Sequence, residues 1–479
     1  MSGGFEGTSR YPAFPFNRRW LPVPAILALA VLAGLAAGDR SLVWLILLGS
    51  VAGVALIVAG MRWPFAGLLV LVGSSSMLVV VMVSGLRSAN AFDVLLLPVF
   101  VASACGIARH EAIAHARREH GGGHDELHSA ERRLTRSVLW FYGFAMLSLI
   151  RLAMVAGTPA ALDSGLVLAR ALQGILLYPL CSWWLRSRQR VQYAWNALFV
   201  GGVALVVVNI IGVSLWHVHR AGMTLMVNNP DPITDPNEAG TAALVVGVVL
   251  LVRNTMRRDW KNWALAVPLV ALLGLTQSRS GILAWLTFGL FTLRWVRPSR
   301  VFAGIVTIAL LVPLMPRTFS GRMVNTLAVK KGSFEAFSFY QRVYAWKTAW
   351  NCFEANPLGV GYLGFRFVSH RFNALSIAFG TVENYFLEIL VSMGIVGVVL
   401  LTIVIVRLFQ LGSEVARRAP RGSLGFHMAR FHAPLILGLV VANLTGDNFV
   451  GLVGVAQVAI WTAVLVRAGH AAIAETVAA

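Results

Sequence analysis

Charge is scarce in this chain, and acidic charge scarcest of all. Only 13% of residues are Asp, Glu, Lys or Arg, and 20 acidic residues face 40 basic ones. A soluble domain carries about 25% charged residues, so an ordinary water-soluble fold is excluded. Cysteine is almost missing. Cys105, Cys181 and Cys352 stand far apart, and only Cys352 is expected in an outward loop, so no structural disulfide is expected. A cleavable leader is also lacking: Met1 to Asn17 is polar and Gly/Pro-rich, Arg18 and Arg19 follow, and the first apolar run reads as a retained helix.

What is present is apolar sequence. The chain is 57% hydrophobic with a mean hydropathy of +0.73. Runs of roughly 17–25 apolar residues recur from Leu21 to the C-terminus, each long enough to cross a ~30 Å hydrocarbon layer. Such segments must satisfy their own backbone hydrogen bonds, so they are helices. The pattern predicts an all-α, polytopic transmembrane bundle of about fourteen spans. These lie near 21–37, 42–60, 64–84, 91–108, 137–156, 164–184, 196–217, 237–252, 260–277, 280–296, 301–316, 382–407, 431–447 and 449–467.

The formal net charge of +20 invites a nucleic-acid partner, but its distribution argues against one. Basic residues sit in short clusters between apolar runs, as charge-controlled membrane insertion requires. With both termini in the cytoplasm, the segments 109–136, 186–190, 253–261, 294–300 and 407–430 fall inside, and the whole arrangement places about 26 of the 40 Lys and Arg residues there. Residues 1–316 then form the first part of the bundle, 317–381 a long extracytoplasmic loop, and 382–479 the C-terminal part. The inside loop 109–136 holds His110, His115, His120, His124 and His128, which raise a metal reading. Its GGG break and lack of tight ligand spacing favour a solvated basic linker instead.

A loop of roughly 65 residues is uncommon in such a protein unless it has work of its own. Within it Phe339, Val343, Trp346, Trp350 and Phe353 recur at steps of four and three, which predicts an amphipathic interfacial helix. Arg342 and Lys347 are expected on its aqueous side. The helix should end at Asn356-Pro357 and pass into Gly359-Val360-Gly361-Tyr362, a tight turn holding the helix against the bundle rather than a phosphate cradle.

Arg220, Arg279 and Arg342 all fall at the predicted outer face. Arginine near membrane depth is expensive, and its planar fork suits phosphate oxygens. One arginine alone would more often reach for headgroups; three on one side fit neutralisation of a diphosphate. Glu383 follows Thr381, which is expected to cap the next helix and to leave Glu383 in its first turn. An ionised carboxylate there suits proton abstraction from a hydroxyl, although first-turn glutamates are commonly structural.

These residues also carry a resemblance. Arg220-Ala-Gly ahead of Asn229-Pro230 and Pro236-Asn237-Glu238-Ala239-Gly240 is one part of it. Leu275-Thr276-Gln277-Ser278-Arg279-Ser280-Gly281 is a second, and Arg342 to Trp346 leading to Asn356–Tyr362 a third. Asn384, nine residues, Gly394, two residues and Gly397 complete it. Together they resemble the O-antigen ligase/polymerase superfamily of bacterial membrane glycosyltransferases, over roughly residues 200–400.

The resemblance implies a GT-C-like bundle in the bacterial cytoplasmic membrane, with the active site outside. It implies an undecaprenyl-diphosphate-linked glycan donor and acceptor, membrane lipids around them, and a flippase and chain-length regulator as partner proteins. No metal or other cofactor is implied. Glu383, Arg342 and Arg279 would be catalytic, and Arg220, Arg279, Arg342, Asn384, Asn237 and Lys347 would hold diphosphate or glycan. Where ligases of the superfamily carry a histidine, this chain has Glu383, which favours polymerisation over ligation. A ligase or oligosaccharyltransferase is the alternative, and a lipid-linked glycan transporter a third; Arg151 and Arg170 are the basic residues deepest in predicted spans.

Overall fold

The structure is a computed structural model. It describes residues 64–75, 78–83, 86–90, 126–215, 224–227, 233–234, 236–256, 260–276, 278–293, 334–447, 449–450 and 452–478, with a few positions between 96 and 103. The helices are α1 (Pro64–Ser74), α2 (Glu126–Ala156), α3 (Thr158–Trp184), α4 (Arg188–Leu215), α5 (Pro236–Met256), α6 (Trp260–Thr276) and α7 (Arg279–Thr292). They continue with α8 (Phe334–Ala355), the short α9 (Phe365–Val368), α10 (Tyr385–Arg418), α11 (Leu424–Leu444) and α12 (Leu452–Ala478). Seven are long and apolar enough to cross a membrane. The chain is a polytopic helical protein. The predicted spans before residue 64 and over 301–316 lie outside the described residues.

One predicted span is overturned. The run 64–84 is not a single helix: α1 stops at Ser74, and β1 (Leu78–Val83) follows. The serines explain the stop. Ser74 and Ser75 turn their hydroxyls back onto the carbonyls of Leu71 and Val72, competing with the helix's own ladder. With β2 (Leu86–Asn90), β3 (Thr224–Val227) and β4 (Ile233–Thr234), β1 builds a four-stranded sheet in the order β2-β1-β3-β4. β1 runs antiparallel to β2 and parallel to β3.

The bundle packs α3 on α12, α2 and α11 on α10, and α7 on α11. At its heart Trp461 donates to His432 Nδ1 at 3.0 Å, and His432 Nε2 lies 3.0 Å from the Leu408 carbonyl. This fully buried histidine is therefore satisfied from α10 and α12 at once. Small residues permit close helix contact. A Cβ on Gly240 of α5 would come within 2.9 Å of the Gly281 Cα on α7. Large apolar side chains face outward instead, among them Leu139, Trp140, Met146, Ile150 and Met154 on α2. Water would not tolerate such a belt; lipid does.

The elements sort to two ends. Residues 151–158, the stretch 356–384 and the 445–450 turn gather at one, because Arg371 donates to the Val155 carbonyl and the Tyr385 amide to that of Gly446. At the other, Arg188 pairs with Glu475 at 3.0 Å. The 34-residue α10 carries Arg417 and Arg418 in its last turn.

Candidate active site

The site end is built on a stitched corner. After α8, the turn Asn356–Gly364 runs against α10: the Val360 and Gly361 amides donate to the carbonyls of Val391 and Ser392 at 2.9 and 2.8 Å. Those carbonyls are available because α10 is kinked at Gly394, whose φ is 66°. Gly359, at φ 83°, sits opposite. A Cβ on Gly359 would strike the Ser392 carbonyl, and one on Gly394 the Pro357 carbonyl. Only glycine tolerates both the approach and the left-handed backbone. Arg151 of α2 donates to the Gly359 carbonyl, and Ser148 receives the Tyr362 amide at 3.1 Å. The glycine-rich stretch is thus a turn clamped between two helices, the reading favoured from its sequence.

Helix α8 differs from its predicted stripe. Val343 and Trp350 face outward, while Ala345, Thr348, Ala349 and Cys352 are buried. The small side chains let α8 lie flush on Val360, Phe365, Val368, Val382 and Val391. Burial pushes the Cys352 thiol up to about 12, so it is not a nucleophile. Cys352 and Cys181 are both free.

The same rotation aims Arg342 inward rather than to the aqueous side. Arg342 Nε meets Glu383 Oε2, and both atoms are shielded from solvent. The arginine side chain is 22% exposed, whereas Glu383 is 45% exposed, so the rest of the glutamate remains reachable. Trp346, one turn along α8, donates to the Val382 carbonyl at 3.0 Å and holds the backbone beside the pair.

Glu383 itself is not in the first turn of a helix. α10 starts at Tyr385, and Asn384, not Thr381, is its N-cap, accepting from the Leu387 amide at 3.1 Å. Glu383 precedes that cap with φ 51°, a left-handed backbone at a residue type that seldom adopts it. Backbone strain of that kind costs of order 1–3 kcal/mol and persists only where its surroundings over-determine it. Here they do. Beneath it Glu388, 4% exposed, takes hydrogen bonds from the Val382 backbone and the Ser392 hydroxyl.

A third charge was not foreseen. Asp447 lies in the turn between α11 and α12, tied to α10 because the Tyr385 amide donates to Gly446. Burial raises the Asp447 carboxyl above its usual range, with Glu383 adding to the shift. Arg342 and a hydrogen bond from Thr381 pull the other way. The signal available in sequence was slight: a Thr-Gly-Asp-Asn break between two apolar runs.

The other predicted residues lie as follows. Arg279 opens α7 directly after Ser278, the N-cap, whose hydroxyl accepts from the Gly281 amide at 3.1 Å. Ser278 Oγ also lies 2.9 Å from Asn237 Oδ1, which binds the start of α5 to the start of α7. Lys347 is exposed on α8. Arg220 lies outside the described residues. Arg342 and Glu383 are therefore in contact, and Asn384 adjoins them as a cap. Asn237 meets Ser278, beside Arg279, where α5 and α7 begin.

Residues 263–402 match the family model described as O-antigen ligase. The match, covering under a third of the chain, agrees with the resemblance to the O-antigen ligase/polymerase superfamily. It spans α6, α7, α8, the clamped turn, Glu383 and the start of α10, and it stops short of Asp447. Members of the family transfer glycans as ligases or polymerases. The pattern Asn384, Gly394, Gly397 gains a physical meaning from the geometry: a helix cap, a kink and a contact with Met393. No curated protein matches the chain.

Proposed function

We propose that the protein polymerises undecaprenyl-diphosphate-linked oligosaccharide repeat units at the outer face of the bacterial cytoplasmic membrane. The Arg342–Glu383 pair carries this reading: two groups 41 positions apart, joined at a strained backbone at the end of the bundle proposed to face outward. Both termini then lie in the cytoplasm.

In the resting protein Arg342 holds Glu383. A donor diphosphate competes for the guanidinium, which donates to phosphate oxygens at least as well as to a carboxylate. The released carboxylate takes the proton of the acceptor hydroxyl as that oxygen attacks the anomeric carbon. The bond to diphosphate breaks on the opposite face with inversion, and Arg342 neutralises the departing charge together with Arg279 and Arg220. Asn237 and Lys347 would meet glycan or phosphate, and Asn384 positions Glu383 as the cap beside it. No metal enters this scheme.

Ligation is the second reading, favoured by the description of the matched family. Glycan ladders from a deletion strain separate the two. Loss of a polymerase leaves single repeat units on the acceptor; loss of a ligase leaves long chains on the lipid carrier. A transporter draws less support, because Arg151 lies near the site end of α2 and donates to the Gly359 carbonyl.

A further inference from the structure

At the opposite end of the bundle two imidazoles and a carboxylate converge. His128 and Glu131 stand one turn apart on α2, and His470 meets them from α12. His128 Nδ1 lies 3.6 Å from Glu131 Oε2, and His470 Nε2 lies 3.8 Å from the same oxygen. All three donor atoms fall within 4.8 Å of one another. A tetrahedral zinc ion, with bonds of about 2.0–2.1 Å, separates its ligand atoms by about 3.3 Å. Small side-chain rotations bring the three groups to that spacing.

The carboxylate is already oriented for the task. Its other oxygen receives the Tyr178 hydroxyl at 2.8 Å and faces Arg467 Nη2 at 3.5 Å, which leaves Oε2 directed at the imidazoles. Outer partners of this kind fix ligating carboxylates in metal sites. The two histidine rings are 4.5 Å apart and tilted by 32°. His128 is 47% exposed, so an ion has a way in from the aqueous end of α2.

We propose that His128, Glu131 and His470 bind a zinc ion, with water as the fourth ligand. Two imidazoles and one carboxylate suit zinc; calcium demands six or more oxygens. The ion clamps the end of α12 to the beginning of α2. Its place at the far end from the Arg342–Glu383 pair makes it a structural or regulatory site. Nothing in the spacing of the histidine-rich stretch shows it, because His470 arrives from the other end of the chain.

The test uses the full chain, purified in detergent, stripped with EDTA and titrated with Zn2+ by calorimetry. One zinc per chain is expected, together with a rise in melting temperature. His128→Ala and His470→Ala should weaken binding by more than about a hundredfold, and Tyr178→Phe by about tenfold. Parent protein that takes up no zinc overturns the site. So does His470→Ala binding as tightly as the parent, because the histidine-rich stretch alone would then be the ligand. Should the alanine variants misfold, Co2+ added to the parent protein decides: tetrahedral visible absorption supports the site, and an octahedral, aqua-like spectrum refutes it.

Discussion

The two ends of the bundle carry the same kinds of charged residue and use them differently. At one end Arg188 and Glu475 pair at 3.0 Å with side chains 68% and 51% exposed, on ordinary helical backbone. Arg417 and Arg418 flank the buried Glu414 from three and four positions along the same helix. At the other end Arg342 and Glu383 come from different elements, their contacting atoms are sealed from solvent, and the glutamate sits at φ 51°. A surface pair is worth about 0–1 kcal/mol and needs no special backbone. The strained pair is maintained by a cap, a tryptophan hydrogen bond, a buried glutamate and a glycine-clamped corner. The two ends differ in how much structure holds two charges in one geometry.

The largest consequence concerns Glu383. Glu383→Gln should lower glycan polymerisation by about 10²–10⁴, the range for removal of a general base, while the protein stays in the membrane. Glu383→His should keep part of the activity. Product length on gels, normalised to protein amount, reads both. Next comes the corner. Gly394→Ala and Gly359→Ala should each destabilise by more than about 2 kcal/mol, because left-handed strain adds to a backbone collision. Their loss of folded protein in detergent melts should exceed that of any charge substitution at the opposite end.

A smaller effect concerns Asp447. Its folded-state carboxyl is raised, so the folded protein loses stability as pH climbs from the ordinary carboxylate range through the raised value. Asp447→Asn should therefore melt at or above the parent at neutral pH, and the difference should vanish under acid. The smallest effect belongs to the exposed pair. Arg188→Ala should change stability by less than about 0.5 kcal/mol and leave polymer yield intact. A large loss of activity there would erase the distinction between the two ends.

Much of the fold was legible from hydropathy. Among the described residues nine helices besides α1 overlap predicted spans, and seven of them are long and apolar enough to cross a membrane. The failures have local causes. Ser74 and Ser75 ended a span that hydropathy alone carried to residue 84. On α8, aromatic periodicity marked an interfacial helix, but not the contact with the bundle, which alanine and cysteine make with Trp346 and Phe353 beside them. Arg342 and Glu383 were singled out from residue type and motif. Their contact was not, because pairing across 41 residues depends on how α8 docks. The left-handed Glu383 and the buried Asp447 were invisible for the same reason: both depend on which loop lies against the start of α10.

A double-substitution cycle on purified protein in liposomes, supplied with lipid-linked repeat units, addresses the pairing most directly. Arg342→Ala, Glu383→Gln and the combination are compared with the parent for rate of glycan transfer. Groups acting as one unit give strongly non-additive losses, so the double variant should be no slower than the slower single variant. Single variants that transfer at the parent rate, or two losses that simply multiply, would contradict a shared site built on Arg342 and Glu383.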